Sequence, residues 1–144
     1  MSLFYAAYTN NAEEALQLIE DGEDVNGEHS QNRNSPFRVP LLAALRSHHW
    51  HMMELLLTAG ADTELPTARL ERTVLFRLIK TKNLSMVRRL IHYGANVSAA
   101  DLSGKTPLQM AVKNGLPEIT EALVQAGADI NAINEEGGSA LLYA

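Results

Sequence analysis

The 144-residue sequence predicts an all-α fold, a solenoid of stacked helix-turn-helix units. Three features recur at one period. Apolar runs open on leucines spaced 38, 34, 33 and 33 residues apart, namely Leu3, Leu41, Leu75, Leu108 and Leu141. A leucine follows each of the first four anchors after fifteen residues, and a glycine follows after nineteen: Gly22, Gly60, Gly94 and Gly127. A unit this short cannot bury its apolar face alone, so neighbouring units must cover it.

Composition narrows the class of protein. With 46% hydrophobic and 20% charged residues, the chain is expected to form one folded domain over residues 1–144. A formal net charge of −5 disfavours nonspecific affinity for nucleic acid or anionic membranes. Because there is no cysteine, neither disulfides nor thiolate chemistry can be proposed. No secretory signal or membrane-spanning run is recognised, so we expect a cytoplasmic or nuclear location.

The predicted units are taken in order. They cover about residues 1–33, 34–67, 68–100 and 101–133, with a partial unit at 134–144. In the first, Ser2 is the expected cap of an opening helix. The longest interval contains "GEHSQNRNSPFRVP", which we interpret as a protruding loop; tolerated surface length is favoured over a binding finger. The partial unit ends at "SALLYA", which suggests a fragment of a longer protein or a truncated cap.

The fourth unit, "DLSGKTPLQMAVKNGLPEITEALVQAGADIN", is the most regular. Thr106 is expected to cap a short helix, with Pro107 at its first position, where a missing N–H costs nothing. A second helix carries one apolar face and ends near Gly127, a glycine able to take positive φ. The residues predicted for that face are Ile119, Ala122, Leu123 and Val124. The unit resembles the ankyrin repeat, whose "TPLHxA" motif stands here as "TPLQMA", residues 106 to 111.

The segment "SHHWHM", residues 47 to 52, raises the alternatives of a metal site and a structural joint. In the resembling repeats, the position of His48 is a left-handed turn between helices that favours glycine, and histidine tolerates this turn better than most residues. The position of His49 is often histidine in that family, with a structural role in the turn. No carboxylate lies within the segment to support a metal. We therefore predict a structural joint, with Trp50 and His51 opening the second helix, and expect no catalytic residue, metal or cofactor.

The resemblance also implies which side chains line a concave groove: those three residues before each anchor and those five or six after it. The first set is basic and comprises Arg38, Arg72 and Lys105. The second comprises Arg46, Lys80 and Lys113, with Tyr8 at the equivalent place in the first unit. We call these two sets the basic columns. Arg77 is expected to reach the groove beside them.

The remaining surface is predicted to be acidic, at the amino-terminal end and on the back of the second helices. The first 28 residues contain seven acidic residues and no basic one. Glu54, Glu118 and Glu121 fall on the second helices. Tyr5, Phe37 and Trp50 are candidate aromatic anchors, although Tyr5 also fits a terminal cap.

We therefore expect a non-catalytic module that binds an acidic peptide or protein surface through the basic columns, as an adaptor or substrate receptor. The alternative is a nucleotide or short nucleic acid, with phosphates on the basic columns and bases stacked on Tyr8 or Trp50. The resemblance further implies candidate hydroxylation sites at Asn26 and Asn131, eight residues after Leu18 and Leu123. The sequence does not identify the partner.

Overall fold

The computed structural model describes residues 2–27, 39–66 and 73–131. Within these ranges the regular elements are α-helices, and one isolated antiparallel bridge joins Pro66 to Thr73. The all-α prediction is therefore confirmed. The chain divides into two compact units, residues 1–62 and residues 63–144. In the described residues of each unit, the helices form two short antiparallel pairs.

Unit 1 holds the first two helix pairs. These are α1 (Leu3–Thr9), α2 (Ala12–Glu20), α3 (Pro40–Arg46) and α4 (Trp50–Thr58). The two first helices, α1 and α3, pack against each other, and the two second helices, α2 and α4, do the same. The core of this unit is apolar and close to fully buried, with Leu3, Ala6, Leu41, Leu45, Met52, Met53 and Leu56 at its centre.

Unit 2 repeats the arrangement. Its helices are α5 (Val74–Lys80), α6 (Leu84–His92), α7 (Pro107–Lys113) and α8 (Pro117–Gln125). Here α5 packs on α7 and α6 packs on α8. The core consists of side chains that are each no more than 2% exposed, namely Leu75, Leu78, Ile79, Leu90, Leu108 and Leu123. The anchors and the leucines fifteen residues after them thus form the interior, as the period predicts.

Two first helices begin at the predicted caps. Ser2 Oγ accepts a hydrogen bond from the Tyr5 N–H at 3.4 Å. Thr106 Oγ1 accepts from the Gln109 N–H at 3.2 Å, while Gln109 Oε1 accepts from the Thr106 N–H at 2.9 Å, which completes a reciprocal capping box. The predicted start of α7 at Thr106 and Pro107 is confirmed.

The joints between paired helices are left-handed at one equivalent residue in each repeat. Their φ angles are 61° at Asn10, 59° at His48, 59° at Lys82 and 65° at Gly115. The glycines nineteen residues after the anchors also have positive φ, between 87° and 95°. Both predictions of backbone geometry are confirmed, and Lys82 is a left-handed residue that the sequence analysis did not single out.

The apolar face predicted for the second helices was partly wrong. Ile119 and Leu123 are buried on α8, but Val124 is 41% exposed and Ala122 is half-buried. A residue five positions after Ile119 is rotated by about 140° from it at 3.6 residues per turn, so its burial depends on what packs beside the helix and not on the face that Ile119 marks. In the equivalent position of α4, Leu57 is buried at 3% exposure.

Among the described helices, none combines the length and the hydrophobicity that a membrane crossing requires.

Candidate partner-binding surface

The loops after the second helices are held in register within each unit by side chains that accept backbone hydrogen bonds from the next repeat. In unit 1, Asn26 Oδ1 accepts from the Asp62 N–H at 2.8 Å. In unit 2, Glu64 accepts from the Asn96 N–H, and Ser98 Oγ accepts from the Asp129 N–H at 3.1 Å. The acceptors lie at one repeat position and the donors at another, so these contacts fix the spacing of neighbouring loops.

The histidine-rich segment forms the joint of the second helix pair. His48 adopts the left-handed turn, and its ring stacks on Trp50 with centroids 5.0 Å apart and planes 14° apart. His49 precedes α4, and its Nδ1 lies 3.1 Å from the carbonyl oxygen of Ala7 on α1. The ring of His49 therefore ties the second repeat to the first, and the structural interpretation of both turn histidines is confirmed. His51 is exposed.

The described residues also bear on two other kinds of site, a metal site and a phosphate-binding loop. Those residues contain no group of three histidine or carboxylate side chains placed to hold a metal ion. Gly104, in the segment "SGKT", has a φ of 78° and lies in the turn closed by the Asp101 and Lys105 backbones, which is not a phosphate-binding loop after a strand.

Arg46 is the basic residue of the basic columns that lies in the described part of unit 1. It is the last residue of α3 and is exposed. Tyr8 occupies the equivalent place on α1, which packs against α3, and is 51% exposed. Trp50 opens α4 and is half-buried by its contact with His48. Unit 1 thus presents one cation and one aromatic side chain at the predicted position.

Unit 2 brings together more of the predicted residues. Lys80 and Lys113 are the last residues of α5 and α7, and both are exposed. Because these helices pack directly, at the 8–10 Å axial spacing that is usual for packed helices, their ends lie side by side. Lys105 is half-buried just before α7, and its backbone N–H donates to Asp101 Oδ1 at 3.1 Å.

Arg77 lies three residues before Lys80 on α5, so the two share a helix face. It is half-buried, whereas its neighbours Phe76 and Leu78 are fully buried. Its position is compatible with the predicted reach toward the basic columns. Three further predicted residues, Arg38, Arg72 and the aromatic Phe37, lie outside the described residues.

The third repeat has a second basic surface that the sequence analysis missed. The prediction placed acidic residues on the back of the second helices, and this is wrong for α6. Arg88 and Arg89 are exposed on α6, and Lys82 is exposed in the joint before it. All five charged residues between positions 73 and 98 are basic. A count of charge for each repeat would have revealed this surface.

The candidate hydroxylation sites share one local geometry. The Asn26 N–H donates to Asp24 Oδ1, and the Asn131 N–H donates to Asp129 Oδ1, each at 2.9 Å. Both asparagines are exposed. The side chain of Asn26 is additionally held by its bond from Asp62.

Comparisons with known proteins agree with this architecture. A family model of three ankyrin repeats matches residues 40–134.

The chain is 38% identical over 63 residues to protein phosphatase 1 regulatory subunit 27 of Homo sapiens, covering 44% of this chain and 41% of that protein. It is 28% identical over 140 residues to the B-cell lymphoma 3 protein homolog of Mus musculus, covering 97% and 31%. Similarity to the E3 ubiquitin-protein ligase KEG of Arabidopsis thaliana is 29% over 104 residues, covering 69% and 6%. The chain therefore spans less than half the length of each of these relatives.

Proposed function

The chain belongs to the ankyrin repeat family, and from that premise we propose that its basic columns bind an acidic peptide or an acidic protein surface. Ankyrin repeats generally mediate protein–protein interaction. The observation that supports an acidic partner is the pairing of Lys80 and Lys113 at the exposed ends of two packed helices. The function is display of a binding surface, without catalysis.

The proposed contacts differ in strength. An arginine guanidinium can hold a carboxylate through two parallel N–H bonds, so Arg46 and Arg77 would orient acidic side chains. Lys80, Lys105 and Lys113 would act as point charges. Each exposed ion pair contributes only about 0.2–1 kcal/mol, so several acidic residues are needed for useful affinity. Tyr8 and Trp50 would add apolar contact area.

The wider role we propose is that of an adaptor or substrate receptor. The relatives include proteins named as a phosphatase regulatory subunit and a ubiquitin ligase. In such proteins a repeat module that captures an acidic segment would bring it to another component. This role depends on the proposed binding, so evidence against the binding is also evidence against the role.

Charge reversal tests the binding site. We expect the triple variant Arg46→Glu, Lys80→Glu and Lys113→Glu to bind a fluorescein-labelled glutamate-rich peptide at least about tenfold more weakly, since three ion pairs of about 0.5 kcal/mol become repulsive. Fluorescence anisotropy at physiological salt gives the affinity, and circular dichroism checks that helical content is retained.

The third repeat supplies a matched control. Lys82 is two residues from Lys80 and is therefore left unchanged. The double variant Arg88→Glu with Arg89→Glu alters α6, and it is compared with Lys80→Glu with Lys113→Glu, since both lower the formal net charge from −5 to −9. The α6 variant should retain peptide binding at physiological salt. Equal loss in both double variants, or unchanged binding by Lys80→Glu with Lys113→Glu, would rule out the basic columns as the site.

Nucleic acid is the competing ligand, and an additional measurement distinguishes it. A labelled single-stranded oligonucleotide replaces the peptide in the same assay. Tight binding that weakens steeply with salt would favour phosphate recognition and count against the acidic peptide. The net charge of −5 is the reason we expect no such binding.

We also propose that Asn26 and Asn131 are accessible to hydroxylation, on the basis of their exposure and shared turn geometry. Mass spectrometry of the protein isolated from cells would detect one added oxygen atom on the peptide containing each residue. Unmodified peptides from both sites would contradict this proposal.

A further inference from the structure

An exposed aromatic surface covers α1 in the first repeat. The ring of Phe4 stacks on Tyr8, with centroids 6.4 Å apart and planes 6° apart. Phe4 also meets Tyr5 edge to face, at 5.6 Å and 79°. Tyr5 is 43% exposed and Tyr8 is 51% exposed. Three rings thus form one connected cluster on a single helix, and we call it the aromatic surface.

The equivalent residues in the other repeats have different properties. At the position of Tyr5 they are Ala43 and Met110, both buried, and the half-buried Arg77. At the position of Tyr8 they are the cations of the basic columns, Arg46, Lys80 and Lys113. The first repeat therefore replaces a cation by an aromatic ring and exposes a second ring where the repeat usually has a buried side chain.

Acidic residues lie at both ends of α1. At its start, Glu23 Oε1 accepts a hydrogen bond from the Leu3 N–H at 2.8 Å. At its end, the joint leads directly into α2, whose first turn carries Glu13 and Glu14. Every charged residue described between positions 2 and 27 is acidic, six in all: Glu13, Glu14, Glu20, Asp21, Glu23 and Asp24.

We propose that the aromatic surface binds a basic peptide segment of a partner protein. Arginine and lysine side chains are attracted to the faces of aromatic rings, and the surrounding carboxylates add favourable charge. The same carboxylates would repel an acidic ligand. The aromatic surface is therefore complementary to the opposite charge from that proposed for the basic columns. Tyr8 belongs to both surfaces, and Arg46 is exposed at the equivalent position of the packed helix α3, so the basic segment must extend from Tyr8 toward Tyr5 and away from Arg46. The inference depends on unit 1 alone.

Magnitudes set the size of the ligand. One exposed cation–π contact or one exposed ion pair changes affinity by only about two- to fivefold. A single basic residue therefore gains too little for a Kd even in the millimolar range. The ligand must therefore be a segment with several basic residues that reaches both tyrosines and the acidic ends of α1.

The test uses the full chain and a fluorescein-labelled peptide of alternating arginine and glycine, with an alternating glutamate and glycine peptide of the same length as the reference. We expect wild-type protein to bind the arginine peptide, and the variant Tyr5→Ala with Tyr8→Ala to bind it about tenfold more weakly, because two cation–π contacts are lost. The variant Tyr5→Phe with Tyr8→Phe keeps both rings and should bind like the wild type.

Removing carboxylates tests the contribution of the acidic residues at the end of α1. Glu13→Gln with Glu14→Gln should weaken the arginine peptide several-fold, about the effect of two exposed ion pairs. Glu118→Gln with Glu121→Gln removes the same charge from exposed positions of α8 and should have no effect. Equal weakening by both pairs would reduce the effect to net charge and overturn the proposal.

Other outcomes separate this inference from the proposed function. The triple reversal at Arg46, Lys80 and Lys113 should leave the arginine peptide bound. Equal binding of the arginine peptide by the alanine and phenylalanine variants would mean that the rings make no contribution, and would overturn the aromatic surface as a binding site. Salt-sensitive self-association in sedimentation velocity that the alanine variant abolishes would assign the surface to a second copy of this chain, and would also overturn the proposal.

Discussion

At the scale of single residues, the joints between paired helices show how one backbone requirement is met by four different side chains. Asn10, His48, Lys82 and Gly115 all have φ near 60°. Glycine adopts this geometry without a steric penalty, and asparagine and histidine tolerate it better than most residues. Lysine has no such advantage, so we infer that Lys82 is held there by the helices on either side of it.

Replacing Lys82 by glycine should therefore stabilise the protein. A side chain in the left-handed conformation costs about 1 kcal/mol because its Cβ crowds the backbone, and glycine removes this cost. We expect this gain to exceed the loss from the greater conformational freedom of glycine in the unfolded chain. Lys82→Ala is the control, since it removes the same charge but keeps a Cβ atom and should give no gain. Urea denaturation followed by circular dichroism measures both. A glycine variant no more stable than the alanine variant would contradict this account.

The backbone conformation was predictable at residues whose repeat position requires a left-handed turn or a helix cap. Side-chain contacts between helix pairs were less predictable. The left-handed turn at His48 followed from its place in the repeat, and so did the cap at Thr106. The contact of His49 with the Ala7 carbonyl oxygen spans 42 residues along the chain. Such a contact depends on how two helix pairs pack, so local sequence alone could not specify it.

At the scale of helices, the four first helices among the described residues begin in different ways although they occupy one repeat position. Ser2 and Thr106 accept a capping hydrogen bond, whereas Val39 has no side-chain oxygen. Thr73 Oγ1 is buried and finds no hydrogen-bond partner among the described residues. Phe76 stands where Gln109 closes the capping box in α7, so α5 lacks the reciprocal acceptor.

Substituting Val39 by threonine should improve the start of α3. Val39 has φ −103° and ψ 152°, close to the φ −93° and ψ 161° of the capping Thr106. A hydroxyl there can accept from the N–H three residues on, which is worth about 1 kcal/mol. Threonine also replaces one buried methyl group, which costs up to about 0.8 kcal/mol, so for a chain of this size we expect the Tm to rise by no more than about 2 °C.

The matching control is Val39→Ala, which removes buried apolar surface and adds no acceptor. Val39 is 5% exposed, so this variant should lose stability by about 1–2 kcal/mol. Thermal denaturation by circular dichroism compares the three proteins. If threonine lowers the Tm as alanine does, the hydroxyl is not capping α3.

At the scale of the whole molecule, charge is distributed by repeat more than by face. The first repeat is acidic and the third is basic, although the chain as a whole has a net charge of −5. The basic columns were visible from the sequence because they follow the repeat period. The exposed pair Arg88 and Arg89 was missed because it has no counterpart at the same position in the other second helices.

This distribution predicts how salt separates local from overall charge effects on an acidic ligand. The double reversals Lys80→Glu with Lys113→Glu and Arg88→Glu with Arg89→Glu carry the same net charge of −9 and therefore repel the ligand similarly at long range. At about 0.01 M ionic strength, where charges interact over about 30 Å, both variants should bind the glutamate-rich peptide more weakly than wild type.

At about 0.15 M, where the screening length falls to about 8 Å, contributions from charges that make no direct contact with the ligand should fade. Binding by the Arg88 and Arg89 variant should then return to the wild-type level. The Lys80 and Lys113 variant should remain defective, because its reversed charges would be in direct contact with the ligand and are screened less. Anisotropy titrations at both salt concentrations measure the difference. Recovery of both variants to the same extent would mean that the peptide senses only the overall charge, and that the basic columns make no direct contact.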